Sequence, residues 1–497
     1  MTHPYNKNIY PGKIFHWMND SETESATKQY FQKYYPGNGD LLAEVTRGDK
    51  NDINQAIELA KEAYKKWSQT PVVKRSEIIR EAVLLMREKK QELAEIVALE
   101  CGKSKKHALG EVDAAIECGF FFAGEGRRYF GEVLTSAVPN RHVEIIRQSI
   151  GVGALITPFN NPAAGVAWKL FPALVCGNAV IIKSHEDTPY VAIWYAKIFK
   201  EAGLPAGVIS VLQGLGDEVG APLVSDERVK FVSFTGSVTT GQKILKATAE
   251  RLAKVSIEAG GKNPFVVCDD ADIEKAVSLA VQSAFVDAGQ RCAAASRIII
   301  FNEVYDDFKK KFLEKVYTLK AGTSDEDDYG AIINGKRTNQ ILEAVRKAVK
   351  NGAKNLVDAD NENFIIDEKY HGGYFLNPVV LENVFVDDEI SQNEIFGPVV
   401  NLYRVKNLEE AIRLANRSKF KLSSAIHTKN IDRAQEFIER YEGGVVRVNG
   451  PTHGSEPHMP FGGTGLSGNG WREPGTKALD FYSDWKQVSI DYDPEKI

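Results

Sequence analysis

Val152-Gly153-Ala154-Leu155-Ile156-Thr157-Pro158-Phe159-Asn160-Asn161-Pro162 opens as a short β-rich run and continues directly into a loop carrying Pro and Asn. The same texture recurs at Ala179 to Ile182, Val208 to Leu212, Phe231 to Phe234 and Val255 to Ile257, with helical stretches between the runs. Strands that alternate with helices imply a parallel sheet with right-handed crossovers. Such sheets bind ligands beyond the carboxyl ends of their strands, where helix N-termini also aim their amides. Thr157 to Pro162, Lys183 to Glu186 and Thr235 to Gly241 each follow one of these strands, so three loops are expected on one ligand edge.

Upstream, between about 50 and 130, the pattern is helical. Ile53, Ala56, Ile57, Ala60 and Trp67 share a face at 3.6-residue spacing, with Asp52 expected as the cap. A second helix is expected from about Ser76 to Leu99, stopping near Gly102. A chain of 497 residues suits two or three domains with large cores. Its 62 basic and 67 acidic residues are well mixed, which argues against nucleic acid or an anionic membrane as a partner. Met1 to Lys7 has no basic segment leading into an apolar stretch, and no apolar run approaches a membrane span, so a cytoplasmic protein is expected. Five cysteines without a CxxC pair fit reduced thiols, and no metal site is expected.

Single motifs remain ambiguous on their own. Phe234-Thr235-Gly236-Ser237, with Gly241 downstream, departs from the GxGxxG fingerprint; Gly236 permits close backbone approach and Ser237 can cap a helix or donate to a phosphate. It reads equally as a tight turn. Lys183 and Glu186 can meet ribose hydroxyls, and a carboxylate there repels a 2′-phosphate, favouring NAD over NADP; alone they read as a solvated pair. Cys292, in Gly289-Gln290-Arg291-Cys292, precedes the small residues Ala293 to Ser296, a setting in which most thiols are inert. Asn160 offers an amide donor suited to an oxyanion and Glu258 a carboxylate base.

Taken together, Pro158-Phe159-Asn160-Asn161-Pro162, Lys183 to Glu186, Phe234 to Ser237, Glu258-Ala259-Gly260-Gly261-Lys262-Asn263-Pro264, Gly289 to Cys292, Glu394-Ile395-Phe396-Gly397-Pro398 and Pro460-Phe461-Gly462-Gly463 carry a resemblance. Over roughly residues 30 to 490 the chain resembles the aldehyde dehydrogenase superfamily, with an affinity to 2-oxoglutarate-semialdehyde dehydrogenases. The resemblance implies an α/β fold with two doubly wound parallel-sheet domains, Rossmann-like NAD-binding and catalytic, plus a small β oligomerisation extension. The expected divisions are residues 1–131 and 151–259 for the NAD-binding domain and 260–446 for the catalytic domain. Residues 132–150 and 477–497 form the extension, and 447–476 a substrate-anchoring segment returning to the cofactor domain. Homodimers or homotetramers assembled through the extension are implied as well.

By the same resemblance, Cys292 attacks an aldehyde, the oxyanion is held by Asn160 and the Cys292 N–H, hydride passes to the nicotinamide, and Glu258 activates water against the thioester. Lys183 and Glu186 are assigned to the adenosine ribose, Gly236 and Ser237 to the pyrophosphate, Glu394 to the nicotinamide ribose, and Phe396 to the nicotinamide ring. Without the family, Glu394 to Pro398 reads merely as a strand edge ending in a turn.

Two departures bear on substrate. Asn161 stands where many relatives carry a bulky apolar residue, and Ala259 replaces the usual Leu, so a polar aldehyde is expected. Asn449 to His458 looks like the anchoring loop of semialdehyde-oxidising relatives. Thr452, His453, Ser455 and Arg291 are candidates to meet a distal carboxylate. NAD-dependent oxidation of a carboxylate-bearing semialdehyde is the resulting expectation. A CoA-acylating relative and a non-enzymatic protein on the same fold are the alternatives, opposed by Glu258 and by the intact Cys292, Asn160 and Glu258 set respectively.

Overall fold

The computed structural model describes residues 9–357 and 368–496. Met1 to Lys7, on which the expectation of no leader rests, and Ile497, the last residue of the tail, lie outside the described residues.

The strand-and-helix alternation builds a seven-stranded sheet ordered Lys254–Glu258, Val229–Thr235, Val152–Ile156, Ala179–Lys183, Ile209–Leu212, His16–Met18, Ser21–Thr23. Its first five strands are mutually parallel and the last two are added antiparallel. Ile156 stands opposite both Lys183 and Phe234, and Thr235 opposite Glu258. The strands therefore end level, and the loops that follow them begin on one edge.

A second seven-stranded sheet is ordered Lys354–Asn355, Val379–Glu382, Val399–Val405, Ala295–Phe301, Asn263–Val267, Ser423–His427, Val445–Val448. Only Lys354–Asn355 pairs antiparallel. Asn263–Val267 and Ser423–His427 are buried at each residue, as expected of parallel strands covered on both faces. The α/β class with two parallel sheets is thus observed. Ser483–Asp491 pairs antiparallel with Arg141–Ser149, which pairs with Glu132–Leu134, in a small separate sheet exposing Val133, Ile146, Trp485 and Ile490.

Two local expectations change. Asp49, not Asp52, is the N-cap of the helix Lys50–Trp67; Asp52 is the third helical residue, and its carboxylate accepts from the Asp49 N–H, completing a capping box. The expected helix from Ser76 to Leu99 is two helices, Val72–Glu88 and Lys90–Cys101, meeting at Lys89. Arg87 to Glu92 are all polar, so no apolar stripe holds the chain in one helix there. Gly102 ends the second helix at φ 65°, as a left-handed C-cap. Among the described residues no helix is long and apolar enough to cross a membrane.

Asn178 is fully buried where the first sheet meets the tail. Its Oδ1 accepts from the Ile150 and Gly151 N–H groups at 2.8 and 3.1 Å, and its Nδ2 donates to the Ala173 and Tyr482 carbonyls at 3.2 and 2.7 Å. Removing that amide orphans buried backbone groups at about 1–3 kcal/mol each. Asn178→Ala is therefore expected to lower the apparent melting temperature by several degrees; an unchanged thermal melt would contradict this bridging role.

Candidate active site

The level strand ends open into a cleft of about 510 Å³. Its lining includes Lys183, Glu186, Gly236 and Ser237 together with Asn160, Glu258, Cys292, Glu394 and Phe396. Ser237 caps the helix Val238–Thr248, its Oγ accepting from the Thr240 N–H at 3.3 Å, so the positive end of that helix faces the cleft. A Cβ on Gly236 would stand 2.6 Å from the Phe234 ring.

Lys183 Nζ donates to the Ser184 carbonyl at 2.7 Å and lies 3.5 Å from Glu186 Oε2. Burial alone would raise Glu186; the neighbouring His185 and Lys183 outweigh it and hold the carboxyl down at about 2. A helix N-terminus for a pyrophosphate beside an ionised carboxylate and an ammonium for ribose hydroxyls is a donor set that fits a dinucleotide.

Glu258 closes the strand Lys254–Glu258 and its carboxyl faces the Cys292 thiol. Glu258 Oε1 is buried without a hydrogen-bond partner. Burial pushes Glu258 up to about 8; the Lys169 cation opposes the shift, while Glu473 and Glu394 add to it. Burial and the facing carboxylates of Glu258 and Glu394 likewise push the Cys292 thiol up, whereas an Ala293 N–H directed at the sulfur favours the thiolate. Cys292 is half-buried; the other four cysteines are buried, and all five are separate thiols.

The loop around Cys292 is fastened by a residue the sequence reading passed over. Asn263 Nδ2 donates to the Cys292 and Ala294 carbonyls at 2.7 and 2.9 Å, and its Oδ1 accepts from the Ser423 N–H at 3.0 Å. Its position directly after Lys262 in a quoted motif was the available signal. Glu394 Oε1 accepts from the Gly261 N–H at 3.0 Å, and burial raises its carboxyl to about 7. Phe396 has a φ of 52° and packs edge-on against Phe159, with ring centroids 5.6 Å apart.

The distal candidates separate. Asn161 turns its Oδ1 toward Lys103 Nζ at 3.4 Å and is not among the residues lining the cleft. Arg291 is bound to the buried Asp287, Nε to Oδ2 at 2.6 Å. Thr452 is buried and fastens its loop to the Cys292 segment, Oγ1 donating to the Ala293 carbonyl at 2.6 Å. His453 carries a buried Nε2 with no partner; burial and then the Arg291 cation lower it to about 4, so its imidazole is neutral at pH 7. Ser455 is half-buried.

Arg447 was overlooked, although it is the one charge in the strand Val445–Val448. Val445 packs with Cys292 and Phe461, and Arg447, two residues on, shares that face. Its Nη2 donates to the Gly454 carbonyl, and its Nε is buried without a partner.

A model of the aldehyde dehydrogenase family matches residues 22–488. The chain is 37% identical to 2,5-dioxopentanoate dehydrogenase of Saccharolobus solfataricus over 96% of this chain and 99% of that one. It is 34% identical to D-glyceraldehyde dehydrogenase (NADP(+)) of Picrophilus torridus over 94% of each. A crystal structure of betaine aldehyde dehydrogenase from Staphylococcus aureus in complex with NAD+ superimposes with a TM-score of 0.93 at 31% identity, covering 97% of this chain and 95% of that one. On a match that spans most of its sequence and fold, the chain belongs to the aldehyde dehydrogenase family.

Proposed function

We propose that this protein oxidises a carboxylate-bearing semialdehyde of the 2-oxoglutarate-semialdehyde class to the acid, with NAD, through a thioester on Cys292. The observation that carries the reading is that the Cys292 thiol faces the Glu258 carboxyl in a cleft also lined by Asn160 and by a residue set that suits a dinucleotide. When bound, NAD supplies the hydride acceptor.

Cys292 attacks the carbonyl carbon. The Ala293 N–H directed at the sulfur favours the attacking thiolate, whose proton is given up to solvent before attack. The Asn160 amide and the Cys292 N–H hold the developing oxyanion; one such donor is worth about 2.7–4 kcal/mol in the transition state. After oxidation, Glu258 takes a proton from water as it attacks the thioester, returning a free thiol and a carboxylate product. Such a base favours hydrolysis over transfer to CoA.

For the cofactor, an ionised Glu186 beside Lys183 supports NAD, because a carboxylate at the ribose repels a 2′-phosphate. For the substrate, support comes from the dioxopentanoate relative and from Arg447 and His453 on the Cys292 side of the catalytic sheet. Arg291 is neutralised by Asp287 and is the weaker candidate. Exposed Val133, Ile146, Trp485 and Ile490 on the small sheet support assembly of copies through it, and the unpaired thiols suit the cytoplasm.

Because only the ionised form of Glu258 accepts a proton, steady-state turnover is expected to rise with pH through about 8 and level off above it. Glu258→Gln should abolish that limb and collapse turnover while leaving a single burst of NADH. A pH profile unchanged by the substitution would contradict the assignment. Arg447→Ala is expected to raise KM for 2,5-dioxopentanoate by about 10- to 100-fold, the loss of a charged hydrogen bond, with little effect on pentanal. Equal effects on both aldehydes would remove Arg447 from the substrate site.

A further inference from the structure

Lys103 belongs to none of the motifs that mark the cleft. It lies in the link between the helices Lys90–Cys101 and Lys105–Glu125, and its side chain is buried. Nζ donates to the backbone carbonyl of Asn160 at 2.9 Å and to Glu111 Oε2 at 2.8 Å. Glu111 Oε1 in turn accepts from the N–H groups of Ala163 and Ala164 at 2.7 and 3.3 Å, in the first turn of the helix Pro162–Val175. Cys101 Sγ donates to the Phe159 carbonyl at 3.3 Å. Residues 101–111 therefore grip the Asn160 loop along its length.

The same segment reaches the turn that carries Cys292. The Gly102 carbonyl accepts from the Ala331 N–H at 2.8 Å, and the Ala331 carbonyl accepts from Gln290 Nε2 at 3.0 Å. Lys103 and Asp287 line one cavity of about 10 Å³ together with Asn160 and Gln290. Asp287 and Ala288 both have φ 54°, so two residues with side chains hold left-handed conformations just before Cys292 and need external restraint. One restraint is the Asp287–Arg291 pair. Against burial, which favours the neutral amine, Asp287 and Glu111 keep Lys103 charged. Glu111, Lys103, Asp287 and Arg291 thus alternate in sign between the two loops.

We infer that Lys103 is a positioning residue for the oxyanion site: its ammonium sets the Asn160 loop against the Cys292 turn, and with it the spacing of the Asn160 amide and the Cys292 N–H. The inference rests on the reading of those two groups as the oxyanion donors. Lys103 touches no reacting atom and acts through Asn160. Its loss should impair oxidation of an aldehyde, which needs the oxyanion, and spare alkylation of Cys292 by iodoacetamide, which does not.

Lys103→Met alone would leave Glu111 and Asp287 without their shared cation, so the informative variant is Lys103→Met/Glu111→Gln, in which the charge is rebalanced and the tether to the Asn160 carbonyl is absent. With propanal and NAD in the full-length enzyme, kcat is expected to fall about 100-fold, the scale of a displaced oxyanion donor. Iodoacetamide alkylation and NAD affinity should stay within about twofold of wild type. Adding Asn160→Ala to the double variant should cost less than about tenfold more, because both changes act at one donor. Wild-type kcat in the double variant, equal loss of alkylation and kcat, or multiplicative losses with Asn160→Ala would overturn the inference. If Asn160→Ala alone retains kcat, the oxyanion reading itself fails, a distinct outcome. Should the double variant not fold, Lys103→Arg keeps the charge and alters the reach, and is expected to lower kcat at least about tenfold with alkylation preserved; wild-type kcat there overturns the inference as well.

Discussion

Four residues, Ala259 to Lys262, join the strand Lys254–Glu258 of one sheet to the strand Asn263–Val267 of the other. The site depends on how closely this link runs past its neighbours. A Cβ on Gly260 would stand 1.9 Å from Glu394 Oε2, and one on Gly261 would stand 2.3 Å from the Cys292 carbonyl oxygen. Glycine at both positions lets the end of the first sheet touch the loop that enters the second. Glu258 is thereby delivered to Cys292 while Glu394 is held on the Gly261 N–H. The cleft beyond the strand ends of one sheet and the Cys292 loop of the other share a wall because of that approach.

Electrostatics at the junction follow from burial. Glu258, Glu394 and Glu473 are carboxylic groups in a region from which water is largely excluded, and Lys169 bonds directly to Glu473, Nζ to Oε2 at 2.8 Å. Ser233 and Tyr482 also donate to Glu473, at 2.8 and 2.7 Å. Glu258 Oε1 has no such partner, so its negative charge is poorly compensated and burial raises its carboxyl to about 8. A base poised near neutrality suits a group that must both accept a proton and give it up within one turnover.

Much of this was legible in the chain. Parallel strands read directly from Val152 to Ile156 and its repeats, because strands buried on both faces are continuous apolar runs. Asn160 and Glu258 sit in short motifs at strand ends that the sheet register levels, and they line one cleft with Cys292. Less accessible were contacts closed across long stretches of chain, Lys103 to the Asn160 carbonyl and Asn263 to the Cys292 carbonyl. Each is a side chain bonding to backbone, and no periodicity announces such a pairing. Side-chain direction was also hidden. Arg291 adjoins Cys292 in sequence yet turns to Asp287, and Thr452 spends its hydroxyl on the Ala293 carbonyl. The helix break at Lys89 and the cap at Asp49 moved by a few residues for the ordinary reason that polar ends lack a packing face.

The central claim is a covalent acyl group on Cys292. Mass spectrometry of proteolytic fragments from Glu258→Gln, quenched after mixing with NAD and an aldehyde, tests it most directly. An added mass equal to the acyl group is expected on the fragment containing Cys292, and none when Cys292 is also replaced by Ser. NADH formed with no adduct on that fragment, or with the adduct on another residue, would contradict it.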